Sequence, residues 1–332
     1  MSATPKVSVI VCTYNQEQTI ARSLESILAQ KTDFPYEIIL ADDCSSDSTP
    51  EICADYARRY PDIIRPFLNK RNKGVVDNYF DCVEACRGKY IADLAGDDMW
   101  TDPQKLARQA KIMDNDSDIV LCHAAWRPVY PDGTFADHSP WSIPDTASIA
   151  PAGSQTMTLL RHEKDKYFIH LCSAMYRRET LTGFMQRYPR LFRDKTLTCE
   201  DLQINVLMSQ AGKIAYTPDV VLHYTVGSPS VSSSENPVKT IRFYSGVIAL
   251  TSRLAEALDI DNSQLKGCYA EVMQFIIMQY FVSHSVEGRQ LVSDLLHRES
   301  IPLSLKNRIT LLLSANRAVW RLTAAIRRLL KD

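Results

Sequence analysis

The sequence predicts an α/β protein: a mostly parallel central sheet with helices on both faces over residues 1–235, then an all-helical extension over residues 236–332. Three observations lead there. Short β-branched runs alternate with stretches of helical periodicity from Val7 to Leu94, and that rhythm implies parallel strands joined by right-handed crossovers. Each of the strands that matter most ends in a polar cluster. Beyond Asn236 the apolar spacing is helical throughout.

Val7 to Cys12 reads as a strand buried on both faces, and Thr13-Tyr14-Asn15 follows as a polar loop. A helix is expected from Thr19 to Gln30, where Ile20, Leu24, Ile27 and Leu28 recur at helical spacing. Glu37 to Ala41 is the second strand, closed by the polar run Asp42 to Thr49. The next helix, Pro50 to Tyr60, begins on a proline whose missing N–H has no helical partner to lose. Ile63 to Leu68 is the third strand and Asn72-Lys73-Gly74 its turn; helix Val76 to Cys86 and strand Tyr90 to Leu94 complete the alternation. That last strand runs directly into Asp97-Asp98. Further on, Glu200-Asp201 opens a helical pattern, Leu202 to Gln210. The extension reads as helices over residues 238–257, 263–283, 287–297 and 303–330.

Composition narrows the function classes. With 45% hydrophobic and 23% charged residues the chain is that of an ordinary globular protein, and a net charge of -1 gives no global attraction to nucleic acid. Nine cysteines, an odd number without a Cys-x-x-Cys pair, are expected to be reduced thiols in a cytosol; Cys82 and Cys86 read as helix packing. Lys6 leads straight into the first strand without a long apolar segment, and no apolar run is long enough to span a bilayer. A cytoplasmic location is therefore expected.

In parallel α/β sheets ligands bind beyond the carboxyl ends of the strands. Thr13-Tyr14-Asn15, Asp42-Asp43 and Asp97-Asp98 should share that edge. The first strand is not followed by Gly-x-Gly-x-x-Gly, and no Gly-Lys-Ser/Thr phosphate loop is present. A diphosphate bound here would need a divalent cation, and Asp97-Asp98 is the natural place for it. Read alone, such a pair can hold a cation, stand in water or cap the next helix, as Asp42-Asp43 and Glu200-Asp201 also can.

Taken together, Val7 to Asn15, Glu37 to Thr49, and Gly96-Asp97-Asp98-Met99-Trp100-Thr101-Asp102-Pro103 with Lys105-Leu106 resemble, in order and spacing, the signatures of family 2 glycosyltransferases with the GT-A fold, such as bacterial O-antigen and capsule sugar transferases. The resemblance covers about the first 225 residues. It implies inverting, metal-dependent, non-processive sugar transfer from a nucleotide-sugar, a UDP- or dTDP-sugar, to a glycan or polyprenyl-diphosphate-linked acceptor. By position it implies that Thr13 and Tyr14 hold the base, that Asp43 hydrogen-bonds a uracil or thymine, and that Asn15, Asp42 and Asn72 belong to the donor site. Asp97-Asp98 corresponds to the DXD element, with Asp98 as direct ligand of Mn²⁺ or Mg²⁺ and Asp97 nearer the ribose or donor sugar. Asp201 corresponds to the base that deprotonates the acceptor hydroxyl.

The chain departs from the family pattern where Tyr-Arg-x-His is common. Here Tyr224 is followed by Thr225, Val226 and Gly227, so the Arg and His are replaced, and His223 is offered as a substitute metal ligand. Ser228, Ser230 and Ser232 follow as a loop over the donor. Within the variable region Ala124 to Lys166, Trp126, Tyr130, His138 and Trp141 are available to stack on sugar. The rival readings are a GT-A-fold partner or scaffold subunit without turnover and a nucleotidyltransferase, though the latter should carry a glycine-rich basic loop after the first strand. At the far end, Lys306, Arg308, Arg317, Arg321, Arg327, Arg328 and Lys331 stand against Asp332 alone. On one continuous helix Leu312, Ala315, Val319, Ile326 and Leu330 share a face, the pattern of a helix lying on the anionic inner-membrane surface.

Overall fold

A computed structural model of the chain describes residues 4–136, 148–227 and 234–329. His138, Trp141, Ser228, Ser230, Ser232, Leu330 and Lys331 lie outside the described residues. The chain divides into two compact units, Met1–Lys195 with Glu200–Ser228, and Thr196–Cys199 with Pro229–Asp332.

In the first unit the elements run β1 Val7–Thr13, α1 Ile20–Leu28, β2 Tyr36–Asp42, α2 Thr49–Arg59, β3 Ile64–Leu68, α3 Val75–Ala85, β4 Tyr90–Ala95, β5 Met99–Trp100, α4 Lys105–Asn115 and β6 Ile119–Val129. They continue with β7 Ile149–Ala150, α5 Thr156–Leu160, β8 Met175–Arg177, α6 Arg178–Arg187, α7 Pro189–Arg193, α8 Glu200–Ala211 and β9 Lys213–Thr225. The strands form one sheet in the order β3-β2-β1-β4-β8-β6-β9-β5, with β7 paired to β9. β3, β2, β1 and β4 are mutually parallel, as the alternation requires, and β6 is parallel to β9. β8 enters antiparallel between β4 and β6, so the sheet is mixed in its second half. A three-residue strand is too short to leave a period in the sequence.

Val7, Val9 and Val11 are fully buried together with Ser8 and Ile10, which accounts for a run without polar alternation in β1. α1 seats Ile20, Leu24 and Ile27 against that sheet at helical spacing. Trp126 also belongs to this core. It packs against His170, Tyr224 and Phe168 at ring distances of 4.9, 5.6 and 5.9 Å, so it is a core ring and not a sugar-stacking surface.

The second unit is helical: α9 Pro237–Ala257, α10 Lys266–Ser283, α11 Val286–Glu299, α12 Leu305–Ala315 and α13 Arg317–Leu329. The single helix expected over residues 303–330 is two. Asn316 is extended (φ -106°, ψ 121°) and its side-chain oxygen accepts from the amides of Ala318 and Val319 at 2.9 and 3.3 Å. An Asn that caps the following helix ends the one before it. Among the described residues no helix is long and apolar enough to cross a membrane. The nine cysteines, all described residues, form no disulfide with one another, and Cys86 donates its thiol to the Cys82 carbonyl within helix packing.

Candidate active site

The register of the parallel strands builds the site. Thr13 lies opposite Asp42, and Cys12 opposite Ala95, so the loops after β1, β2 and β4 leave the sheet side by side. Two further bonds extend the ladder past the strand ends, Asp43 amide to Thr13 carbonyl at 3.0 Å and Gly96 amide to Cys12 carbonyl at 3.2 Å. The three polar clusters therefore occupy one edge.

On the β1–β2 side most polar atoms already have partners. Asp42 is buried and accepts from the Ser45 amide and hydroxyl. Asp43 accepts from the Asn69 side chain (3.0 Å), the Lys73 amide (2.9 Å) and the Gly74 amide (2.8 Å), while Asn72 donates to its carbonyl. Gly74 takes φ +84° in that turn, a conformation that suits glycine. An ionised carboxylate offers about four acceptor positions, so Asp43 keeps roughly one for a ligand. Thr13 is buried and donates to the Gln16 side chain; Asn15 accepts from the Ser46 amide at 2.8 Å; Tyr14 is exposed.

The Asp97-Asp98 loop is gripped from two directions. One stripe of α1 and its N-terminal residue reaches it: the Thr19 hydroxyl donates to the Gly96 carbonyl (2.9 Å), Arg22 to the Asp97 carbonyl (2.9 Å) and Ser23 to the Asp98 carbonyl (2.6 Å). Ser26 accepts from the Trp100 amide at 3.1 Å. Positions 19, 22, 23 and 26 face one way on a helix, so a single rigid element holds four successive points of the loop. From the other side β9 pairs with β5, and the Thr225 amide donates to Asp98 Oδ1 at 2.9 Å while its hydroxyl donates to the Asp97 carbonyl at 2.5 Å. Gly96 has no room for a side chain: a Cβ there would lie 2.9 Å from the Cβ of Thr13.

The two carboxylates differ. Asp98 is fully buried and its Oδ2 has no hydrogen-bond partner; Asp97 is partly exposed at the rim. Burial raises both carboxyls, and the Asp97 charge raises Asp98 further; the Thr225 amide, the Cys172 thiol and Arg22 pull Asp98 down, while Gln16 and Arg22 pull Asp97 down. Arg22 also donates to Thr225 Oγ1 at 3.3 Å, and its Nε is buried without a partner. Thr225, which stands where the family pattern has Arg, thus accepts from a guanidinium of α1. Sequence periodicity gave no hint of Arg22, because α1 is recognised by its apolar stripe. His223 pairs with Met99 and packs edge-on to Phe135 at 5.4 Å; burial, Arg127 and Arg22 lower its pKa. Among the described residues no three His, Cys, Asp or Glu side chains cluster as a ready-made metal site.

Glu200 and Asp201 form the first turn of α8, both half-buried. Burial pushes Asp201 up to about 6, with Lys164 opposing, and burial plus the Asp201 charge pushes Glu200 up to about 8. The Tyr224 phenol is pushed up to about 12, first by burial and then by the charges of Asp98, Asp97, Cys172 and Asp201. The field of Asp201 and that of the Asp97-Asp98 pair therefore overlap. Behind them lies a buried polar cluster. Tyr79 donates to Asp93 Oδ1 at 2.8 Å and meets the Tyr176 hydroxyl at 2.6 Å, and Asp93 is pushed up to about 7 by burial despite both phenols. Lys105 is buried over the Trp100 ring, 4.2 Å from its centroid, and donates to Gln109 and the Ala174 carbonyl. An Asp in mid-strand gives no sign in the sequence of being more than a pattern break.

A sheet of this topology with a carboxylate rim at the ends of its parallel strands defines a GT-A architecture. The chain belongs to Glycosyl transferase family 2, whose profile matches residues 8–183. It is similar to the putative glycosyltransferase EpsE of Bacillus subtilis, 41% identical over 114 residues, which are 34% of this chain and 40% of that protein. The chain spans about two fifths of the length of the curated relatives it matches. In fold it is similar to Staphylococcus aureus TarS residues 1–349 in complex with UDP, with TM-score 0.57, 19% identity, and 86% of this chain and 77% of that one covered. It is likewise similar to the mannosyltransferase PcManGT from Pyrobaculum calidifontis in complex with GDP-Man and Mn²⁺, with TM-score 0.53, 16% identity, and 99% and 88% covered.

Proposed function

We propose that this chain transfers one sugar per encounter from a nucleoside-diphosphate sugar, a UDP- or dTDP-sugar, to the hydroxyl of a glycan acceptor in bacterial surface-polysaccharide assembly. The observation that carries the reading is one rim, at the ends of β1, β2 and β4, that holds a partly exposed Asp97 beside a buried Asp98 whose Oδ2 has no partner.

The donor lies along the ends of β1, β2 and β4, with Thr13, Tyr14, Asn15, Asp42, Asp43 and Asn72 on the nucleoside side. Asp43 offers its remaining acceptor position to a base N–H. All-oxygen donors suit Mg²⁺ or Mn²⁺, and the unpartnered Oδ2 of Asp98 fits a carboxylate that lacks a counter-charge. Asp97 and Asp98 would hold the cation, Asp98 through its unpartnered Oδ2 and Asp97 from the partly exposed rim, with the Thr225 amide on Asp98 Oδ1. A bound ion there neutralises charge on the departing nucleoside diphosphate. Arg22, fixed by the Asp97 carbonyl and Thr225, contributes positive charge from the other side.

Asp201 takes the proton from the acceptor hydroxyl. A pKa near 6 suits a base that must be ionised at neutral pH yet retain proton affinity. Glu200, raised above it, carries the shared proton and limits repulsion between the adjacent carboxyls. Attack on the face opposite the leaving group inverts the anomeric centre, so an α-linked donor gives a β-linked product. The acceptor reading, a glycan on polyprenyl diphosphate at the cytoplasmic face of the inner membrane, follows from the basic C-terminal helices. Incubation with UDP- and dTDP-sugars, Mn²⁺ and a polyprenyl-diphosphate glycan, followed by proton NMR of the product anomer, tests it. A β-linked product from an α-donor is expected. A retained anomer, or no product and no donor hydrolysis across the nucleotide-sugars, would contradict it.

A further inference from the structure

α12 is turned the opposite way from an ordinary packed helix. Leu305, Ile309 and Leu312, spaced i, i+4, i+7, form one stripe, and they are 74, 46 and 72% exposed. The opposite side, which packs against α10, carries Asn307 and Ser314, both buried. Ser314 offers its carbonyl to His284 Nε2 at 2.9 Å, and the His284 ring stacks on Trp320 of α13 at 4.1 Å. The Trp320 indole in turn donates to the Phe281 carbonyl at 2.7 Å. Both helices are therefore anchored within the second unit by polar and aromatic contacts, while Leu305, Ile309 and Leu312 of α12 stay exposed and Leu311 and Leu313 are half-buried. α13 continues the surface with Val319 and Leu322, 39 and 64% exposed.

Exposed cations accompany this apolar stripe. Lys306 and Arg308 flank it on α12, and Arg317 and Arg321 lie exposed on α13. From Ser300 to Lys331 the sequence contains no Asp or Glu. Among the described residues nothing covers this apolar stripe, and an exposed apolar patch rimmed by charge marks an interaction surface.

We propose that the outward face of α12 and α13 is a docking surface for an anionic phospholipid bilayer, the aliphatic side chains entering the headgroup–acyl boundary and the four cations meeting lipid phosphates. The proposal deepens the membrane-face reading above. Charge complementarity selects the bilayer over a second copy of this chain: two copies joined through this face would bring one unbroken set of positive charges against another. A surface that needs both apolar insertion and anionic lipid binds reversibly and weakens with salt.

Vesicle flotation of the full chain tests it, with phosphatidylcholine alone and phosphatidylcholine containing phosphatidylglycerol. The chain is expected to float with the anionic vesicles, to stay behind with the neutral ones, and to be released by salt. The triple variant L305S/I309S/L312S and the charge variant K306Q/R308Q/R317Q/R321Q should each lower recovery by about tenfold or more. Melting temperature and UDP binding should be retained in both, so that failure of the donor-site reading and failure of this one are told apart. Recovery of either variant equal to the parent, flotation indifferent to lipid charge, or a dimer in sedimentation that the triple variant abolishes would overturn the proposal.

Discussion

Helices α1 and α12 are both short and amphipathic, and they use that pattern in opposite senses. α1 buries Ile20, Leu24 and Ile27 and spends its polar stripe, Arg22, Ser23 and Ser26, on the carbonyls and amide around Asp97-Asp98. α12 exposes Leu305, Ile309 and Leu312 and buries Asn307 and Ser314. The hydrophobic period locates a helix in both cases, but it does not say which face meets the protein. In α1 the core claims the apolar stripe and the polar one holds the Asp97-Asp98 loop; in α12 the polar side is buried and the apolar stripe is exposed.

The largest effect expected falls on the site that α1 supports. Asp201→Asn should reduce transfer by about 10²–10⁴-fold, the range of general base catalysis, with donor affinity kept; product formation and UDP-sugar binding measured on the same preparation check it. Leu24→Ala should destabilise the chain by about 2–5 kcal/mol, since Leu24 is fully buried between α1 and the sheet, whereas Leu312→Ala should stay within about 0.5 kcal/mol. Urea melts of the two variants side by side break the comparison if their costs are similar.

Much of the fold and of the rim was legible in the sequence, and for identifiable reasons. β1, β2 and β4 each read as a strand in a parallel alternation, so their ends, and with them Asp43 and Asp97-Asp98, fall on one edge from the sequence alone. β8 has three residues and no period, which hid its antiparallel entry. Asn316 sits within an otherwise helical pattern, and its break depends on a side chain bonding two amides ahead. Arg22 and Asp93 matter through partners about 70 or more residues away or in mid-sheet, and no local spacing encodes that. Trp126 read as a surface aromatic because the residues that cover it, His170 and Tyr224, come from distant segments.

Smaller effects sharpen the picture of the rim. Arg22→Gln should weaken nucleoside-diphosphate binding by about tenfold, the value of one hydrogen bond to a charged group, and Arg22→Lys should recover part of it; titration calorimetry reads both. For pH, the proposed base Asp201 would act as its anion, and burial raises its pKa to about 6, so transfer should be level above that value and fall about tenfold per unit below it. In Asp201→Asn the residual rate should lose that acid limb.

The most direct test of the donor site is calorimetric titration of UDP into the parent chain and Asp97→Ala, each with Mn²⁺ and with chelator. Binding that requires the metal in the parent and weakens at least about tenfold in Asp97→Ala is the predicted result. UDP affinity unchanged by both chelation and the substitution would contradict the placement of the nucleoside diphosphate at the Asp97-Asp98 rim.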